Sequence, residues 1–223
     1  MTQQCKNSHA DLSPSAVVDV CTKAISTHTE RGLELAVLLA SRAAAYDVLG
    51  DTKRALADYN EAIHLAPTAA GIYYNRGVYF EQQGDLSHAV EDYSEALRLE
   101  PTLLPALYNR AKIYNRQGNN GQALADYSAA IRTNPKVAVL FQERGLVHLR
   151  DNRFQEALED ESAAIRLDPN LAIPHLLRAI ANGRLGGSSE EVLTDAETAI
   201  RLDPRTAQYV KINGTKVSIT PPF

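Results

Sequence analysis

The chain has no tryptophan, one methionine, two cysteines and four phenylalanines in 223 residues. Two cysteines are too few for a disulfide-built scaffold and cannot close a tetrahedral zinc site alone. With 12 glycines and 10 prolines, the composition excludes collagen-like and low-complexity classes. A net charge of −4 gives no basic field for nucleic acid, and no polybasic segment points to a membrane surface. No apolar run approaches the ~20 residues of a membrane helix. The polar opening, Met1 to Leu12, does not read as a signal peptide. What is there, 44% hydrophobic and 22% charged, is an ordinary globular balance.

Internal repetition dominates the rest. Five blocks align: RALADYNEAIHLAP (54–67), HAVEDYSEALRLEP (88–101), QALADYSAAIRTNP (122–135), EALEDESAAIRLDP (156–169) and EVLTDAETAIRLDP (191–204). Their closing prolines are spaced by 34, 34, 34 and 35 residues. A second helical pattern precedes each block, as in Tyr73, Tyr74, Gly77 and Phe80, then Leu107, Tyr108, Ala111 and Tyr114. The apolar members fall at i, i+3/i+4 and i+7, the helical period. Gly50-Asp51, Gly84-Asp85 and Gly118-Asn119 lie between the paired patterns. Glycine suits the left-handed residue after a helix, and Asp or Asn caps the next. Each repeat therefore reads as helix, tight turn, helix, proline. Small residues recur where paired helices approach: Ala43, Gly77, Ala111, Gly145 and Ala179 in the first helix.

These residues and their 34-residue period resemble the tetratricopeptide repeat (TPR) family over 36–204. The resemblance implies an all-α, right-handed α-solenoid of about five helix-turn-helix repeats, at 36–69, 70–103, 104–137, 138–171 and 172–204. Residues 1–35 hold an N-terminal segment and a packing helix over 14–28. Residues 205–223 form a cap or tail. There, Tyr209–Ile212, Asn213-Gly214 and Thr215–Ile219 read as two short strands on a two-residue turn. Some positions depart from the family pattern. Arg replaces the usual Leu before the small residue in all five repeats, and Glu161 and Ala196 stand where an aromatic is expected. The fifth repeat, with His175, Asn182 and an extra residue at Gly186-Gly187, is a degenerate terminal one.

The arginines, Arg42, Arg76, Arg110, Arg144 and Arg178, accompany Asp58, Asp92, Asp126, Asp160 and Asp195 in the second helices. Either they bond aspartates between packed helices or they form a basic ladder for an anionic ligand; the aspartate register favours the former. Spacing does not decide between an Asp sixteen residues later and one eighteen earlier. In the family, the first helices line a concave surface at their second, fifth, sixth, ninth, twelfth and thirteenth positions. The resemblance thus selects a binding groove of Tyr74, Asn75, Tyr108, Asn109, Lys112, Arg116, Gln142, Glu143, Arg150, Leu177 and Arg184. Asparagine amides both donate and accept, so they suit an extended peptide backbone, and the arginines suit a carboxylate-bearing segment. The family's carboxylate clamp for chaperone tails does not carry over, because Ala40, Ala44 and Pro105 fall at its positions in one frame.

For catalysis the chain offers little. His9, His28, His64, His88, His148 and His175 share no metal-ligand spacing, and no phosphate loop or nucleophile elbow occurs. No catalytic residue, metal or cofactor is expected. The expected function is a non-enzymatic scaffold binding a peptide or protein segment, as a monomer or weak homodimer, without nucleic acid or a membrane span. The alternatives are self-assembly through the tail and an accessory domain of an enzyme or carbohydrate-binding system. Cys5 and Cys21 are either unrelated thiols or a disulfide. The stretch around them resembles exported bacterial repeat proteins, which implies a periplasmic or exported location; the alternative is cytoplasmic.

Overall fold

The computed structural model describes residues 12–27, 32–213 and 216–221. Among them run α1 (Pro14–Thr27), α2 (Leu33–Val48), α3 (Thr52–Leu65), α4 (Ala70–Gln82), α5 (Leu86–Leu99) and α6 (Leu104–Arg116). They are followed by α7 (Asn120–Thr133), α8 (Ala138–Arg150), α9 (Phe154–Leu167), α10 (Ala172–Arg184) and α11 (Ser189–Leu202). A 3₁₀ turn (Pro204–Tyr209) leads to strands β1 (Val210–Asn213) and β2 (Lys216–Ile219). The fold is all-α, built of consecutive helix-turn-helix repeats of the α-solenoid class, with one small antiparallel strand pair. The chain divides into two compact bodies, Met1–Ala106 and Leu107–Phe223.

Local chemistry sets the helix boundaries. Gly50, Gly84, Gly118 and Gly186 have φ of 77°, 80°, 75° and 80°, a left-handed conformation that costs glycine no Cβ clash. In the fourth repeat Asn152 takes that role at φ 57°. The side chains of Asp51 and Asp85 then accept from the Arg54 and His88 backbone N–H groups at 3.1 and 3.2 Å. Ser188 and Glu191 form a reciprocal capping box at α11, each satisfying an otherwise orphaned backbone donor.

In the N-terminal body, α1 lays Val17, Cys21 and Ala24 against Leu38 and Ala45 of α2. The other face of α2 (Ala36, Leu39, Ala40, Ala43) packs with Tyr59 and Ala62 of α3 and Ile72 and Tyr79 of α4. Cys21 is completely buried, and among the described residues no cysteine is free; Cys5 lies outside the described residues. A Cβ on Gly77 would sit 2.7 Å from the Tyr93 ring, so this glycine creates the space in which the aromatic lies.

In the C-terminal body, Ala111, Ala123, Tyr127 and Val147 form one cluster. Leu149, Ala157, Leu176, Leu177, Ile180 and Ala199 form another, against which Tyr209, Val210 and Ile219 pack. The strand pair is thus laid on the last repeat. Its register matches Val210 with Ile219 and Asn213 with Lys216; β1 starts at Val210, one residue later than the sequence suggests, because Tyr209 closes the 3₁₀ turn, and it includes Asn213. Gly214 and Thr215 lie outside the described residues.

Two measurements check these packing assignments. Ending the chain after Arg205 removes three partly buried apolar side chains, a loss of about 3 kcal/mol. The melting temperature should fall by roughly 10 °C and aggregation should rise; an unchanged melt would show that the strand pair does not stabilise the last repeat. Thiol titration of denatured, non-reduced chain should find no free thiol, and two per chain would rule out a Cys5–Cys21 bond.

Candidate functional site

The repeated arginines are engaged inside the helix pairs. Arg42, Arg76, Arg110, Arg144 and Arg178 each donate through two nitrogens to both oxygens of Asp58, Asp92, Asp126, Asp160 and Asp195, at 2.6–2.8 Å. The partner is the Asp sixteen residues later, or seventeen in the fifth repeat, where one residue is inserted. Some arginines also reach back: Arg76 to Asn60 at 2.7 Å and Arg144 to Ser128 at 3.0 Å. One guanidinium therefore ties its own second helix to the preceding one. The paired aspartates are mostly buried, so desolvation offsets much of the attraction, and the pair fixes register more than it adds stability.

With those cations occupied, the first helices carry the remaining groove candidates. In the N-terminal body α4 holds Tyr74, half-buried against Tyr93 with ring centroids 5.8 Å apart, and Asn75, exposed. In the C-terminal body α6 holds Tyr108, Asn109 and Lys112, half-buried, and Arg116, exposed. The Lys112 ammonium lies 5.4 Å from the Tyr108 ring centroid. Gln142 and Glu143 are half-buried on α8, and Arg150 at its end is exposed and donates to the buried Asn115 at 2.7 Å. Burial pushes the Glu143 carboxyl above the ordinary range, against the pull of Lys112, Arg150 and Arg116. Arg184 is exposed on α10, 5.8 Å from the Phe154 ring centroid.

Leu177 does not belong with them. It is completely buried, in the cluster on which Tyr209, Val210 and Ile219 pack. The expected open apolar position on the fifth repeat is core, because the strand pair packs against the cluster that contains it.

Two features went unrecognised in the sequence. One is a hollow of about 420 Å³ in the N-terminal body between α2 and α4, lined by residues that include Ala40, Ser41, Ala44, Ile72 and Asn75. Its signal was Ala40, Ser41 and Ala44 at the fifth, sixth and ninth positions of the first repeat, where the second carries Tyr74, Asn75 and Val78 and the third Tyr108, Asn109 and Lys112. The other is the environment of Glu161. Its side chain lies against Gly145, where a Cβ would collide with the carboxyl group. It is fully buried, and neither carboxyl oxygen has a hydrogen-bond partner. Burial, then the nearby Asp160 and Glu143 charges, push its pKa well above the ordinary carboxylate range, while Arg178 pulls the other way. His148, buried at another aromatic position of the same repeat, leaves Nδ1 unpartnered, and burial lowers its pKa.

Among the described residues no cluster of three or more His, Cys, Asp or Glu could hold a metal ion, and no helix is long and apolar enough to cross a membrane.

Comparison with known families agrees with this architecture. Tetratricopeptide-repeat models match residues 45–84, 70–103 and 108–172. The chain belongs to the tetratricopeptide repeat family. No curated protein sequence matches it. Among solved structures, the TPR protein YrrB, described as having an unusual peptide-binding site, superposes with a TM-score of 0.72 at 22% identity, over 84% of this chain and 94% of that one. The C-terminal part of a TPR repeat-containing protein from Cytophaga hutchinsonii gives 0.75 at 19% identity, over 94% and 82%. MamA from Desulfovibrio magneticus RS-1 gives 0.65 at 21%, over 78% and 96%.

The Glu161 environment has a measurable consequence. A carboxyl raised in the folded state keeps its proton to higher pH than in the unfolded chain. Its destabilising effect is absent below the unfolded carboxyl pKa and grows as pH rises toward the folded value. Glu161→Phe restores an aromatic over Gly145 and needs no polar partner. It should stabilise the protein by about 1–3 kcal/mol at pH 8, with a smaller gain at pH 4, read from paired thermal melts. A gain independent of pH would mean that Glu161 does not titrate abnormally.

Proposed function

We propose that this chain is a non-enzymatic interaction scaffold whose first helices in the C-terminal body hold an acidic protein segment. One observation carries the reading. Arg110, Arg144 and Arg178 are committed to aspartates between helices, yet Lys112, Arg116, Arg150 and Arg184 stand on or at the ends of the first helices. Four cations of this body thus stand at positions that the family uses for ligands. Tyr108 adds apolar contact and Asn109 a group that can donate to and accept from a peptide backbone; Asn75 offers the same chemistry in the N-terminal body. Glu143 sits among these cations and would compete with a ligand carboxylate. The fold shared with YrrB, whose description names a peptide-binding site, is in keeping with this reading. The strand pair packs on its own last repeat, which favours a cap over a tail that docks on a second copy.

A fluorescein-labelled decapeptide of alternating Glu and Ala serves as probe, with its Lys/Ala counterpart as control. The acidic peptide should bind more tightly by anisotropy. Lys112→Glu with Arg116→Glu should weaken it by at least about tenfold, and the loss should shrink as salt rises. Asn109→Ala should weaken binding without changing the helical circular dichroism signal. Equal affinity for both peptides, or no effect of the charge reversals, would overturn the assignment.

A further inference from the structure

The hollow in the N-terminal body has a different chemistry. Val37, Ala40, Ala44 and Val48 of α2 face Ile72 and Val78 of α4 across about 420 Å³, a volume in the range of small-ligand sites. Tyr59 and Tyr79 also line it, with ring centroids 5.9 Å apart and both side chains buried. Ser41, Asn75 and Gln82 supply polar groups in the lining. Val48 and, next to it in sequence, Leu49 are 73% and 51% exposed, so large apolar surface remains open at this end of α2.

Among the described residues, the only charged group of the lining is Asp47, and no lysine or arginine contributes to it. Asp47 accepts from the Gln83 amide at 3.2 Å. Burial raises its carboxyl pKa, an effect only partly countered by that bond. On α4, Glu81 adjoins the lining residue Gln82 in sequence. A ligand bringing negative charge would meet repulsion here, whereas a cation would supply the partner that Asp47 lacks among the lining side chains. The alanines leave room for a side chain, and aliphatic walls favour an aliphatic one.

We propose that this hollow binds an aliphatic side chain of a protein segment that carries a lysine or arginine next to it. The proposal rests with the acidic-segment reading on the view that first helices form the binding surface; apart from Asn75 it concerns other residues, and it takes the opposite ligand charge.

The test is an amide-resolved NMR titration of the full chain with three capped tetrapeptides: Ac-Ala-Leu-Lys-Ala-NH₂, Ac-Ala-Leu-Glu-Ala-NH₂ and Ac-Ala-Ser-Lys-Ala-NH₂. The Leu-Lys peptide should shift the amides of Val37, Ala44, Val78 and Gln82 with a dissociation constant in roughly the millimolar range. The Leu-Glu peptide should bind about fivefold more weakly, the scale of one partly screened ion pair. The Ser-Lys peptide should produce little shift. Asp47→Asn should abolish the preference for Lys over Glu while leaving the Leu contact. Ala44→Leu, on a helix where leucine is well tolerated, should fill the hollow and remove the response. The proposal is overturned by equal response to the Lys and Glu peptides, by a response that survives Ala44→Leu, or by no shift at about 10 mM peptide. Shifts at these amides that depend on protein concentration without peptide would assign the hollow to a second copy and also overturn it. Failure here leaves the acidic decapeptide's effect on Lys112 and Arg116 to be read separately.

Discussion

A guanidinium bonded to both oxygens of an aspartate is the interaction on which each repeat depends. The two groups are planar and forked, so they accept each other in one geometry. That geometry fixes the axial register and rotation of the first helix against the second. Arg76 and Arg144 extend the constraint to the preceding second helix through Asn60 and Ser128. Alanine and glycine at the helix contacts permit close approach but tolerate sliding; a bidentate ion pair does not. The apolar contacts supply the driving force, and the ion pairs choose one packing among many of similar area. The same commitment sets the five repeated arginines apart from the other cations among the described residues, which stand on helix faces, at turns and in the strand pair.

The repeat architecture was legible because its signals are local and redundant. The closing proline recurs in all five repeats at 34- or 35-residue spacing, and glycine followed by Asp or Asn marks the turns of the first three; each points to the same fold. The Arg–Asp pairing was legible as a pairing, yet its direction was not, because both candidate aspartates fall in second helices and only three-dimensional stacking separates them. Leu177 was misread for a related reason. Position within a repeat says which way a side chain faces, but not what later segments pack around it, and Tyr209 and Ile219, which pack against the cluster that contains Leu177, are more than thirty positions away. The hollow beside α2 escaped notice because it is made by what Ala40 and Ala44 lack. A large side chain announces a contact in sequence, whereas a small one announces a cavity only when its neighbours are known.

The fourth repeat shows how substitution acts inside a repeated frame. Gly77 makes room for Tyr93, and Gly145 makes the same room in the fourth repeat, where Glu161 lies instead. The backbone thus keeps the shape required by an aromatic that is absent. His148 likewise replaces an aromatic, and both polar groups retain atoms without partners. Neighbouring pairs hold the repeat in its fold although its own core is poorly matched. Such tolerance is expected where stability is shared between adjacent modules.

The strand pair at the end of the last repeat has a consequence for growth. A stack of like helix pairs has no internal signal to stop, because each pair ends in a face complementary to the next. Covering that face with Tyr209, Val210 and Ile219 exchanges a broad helical surface for the edges of two four-residue strands. Strands this short are poor templates for further pairing. On this side the last helix pair meets a strand pair where a further helix pair would otherwise stack.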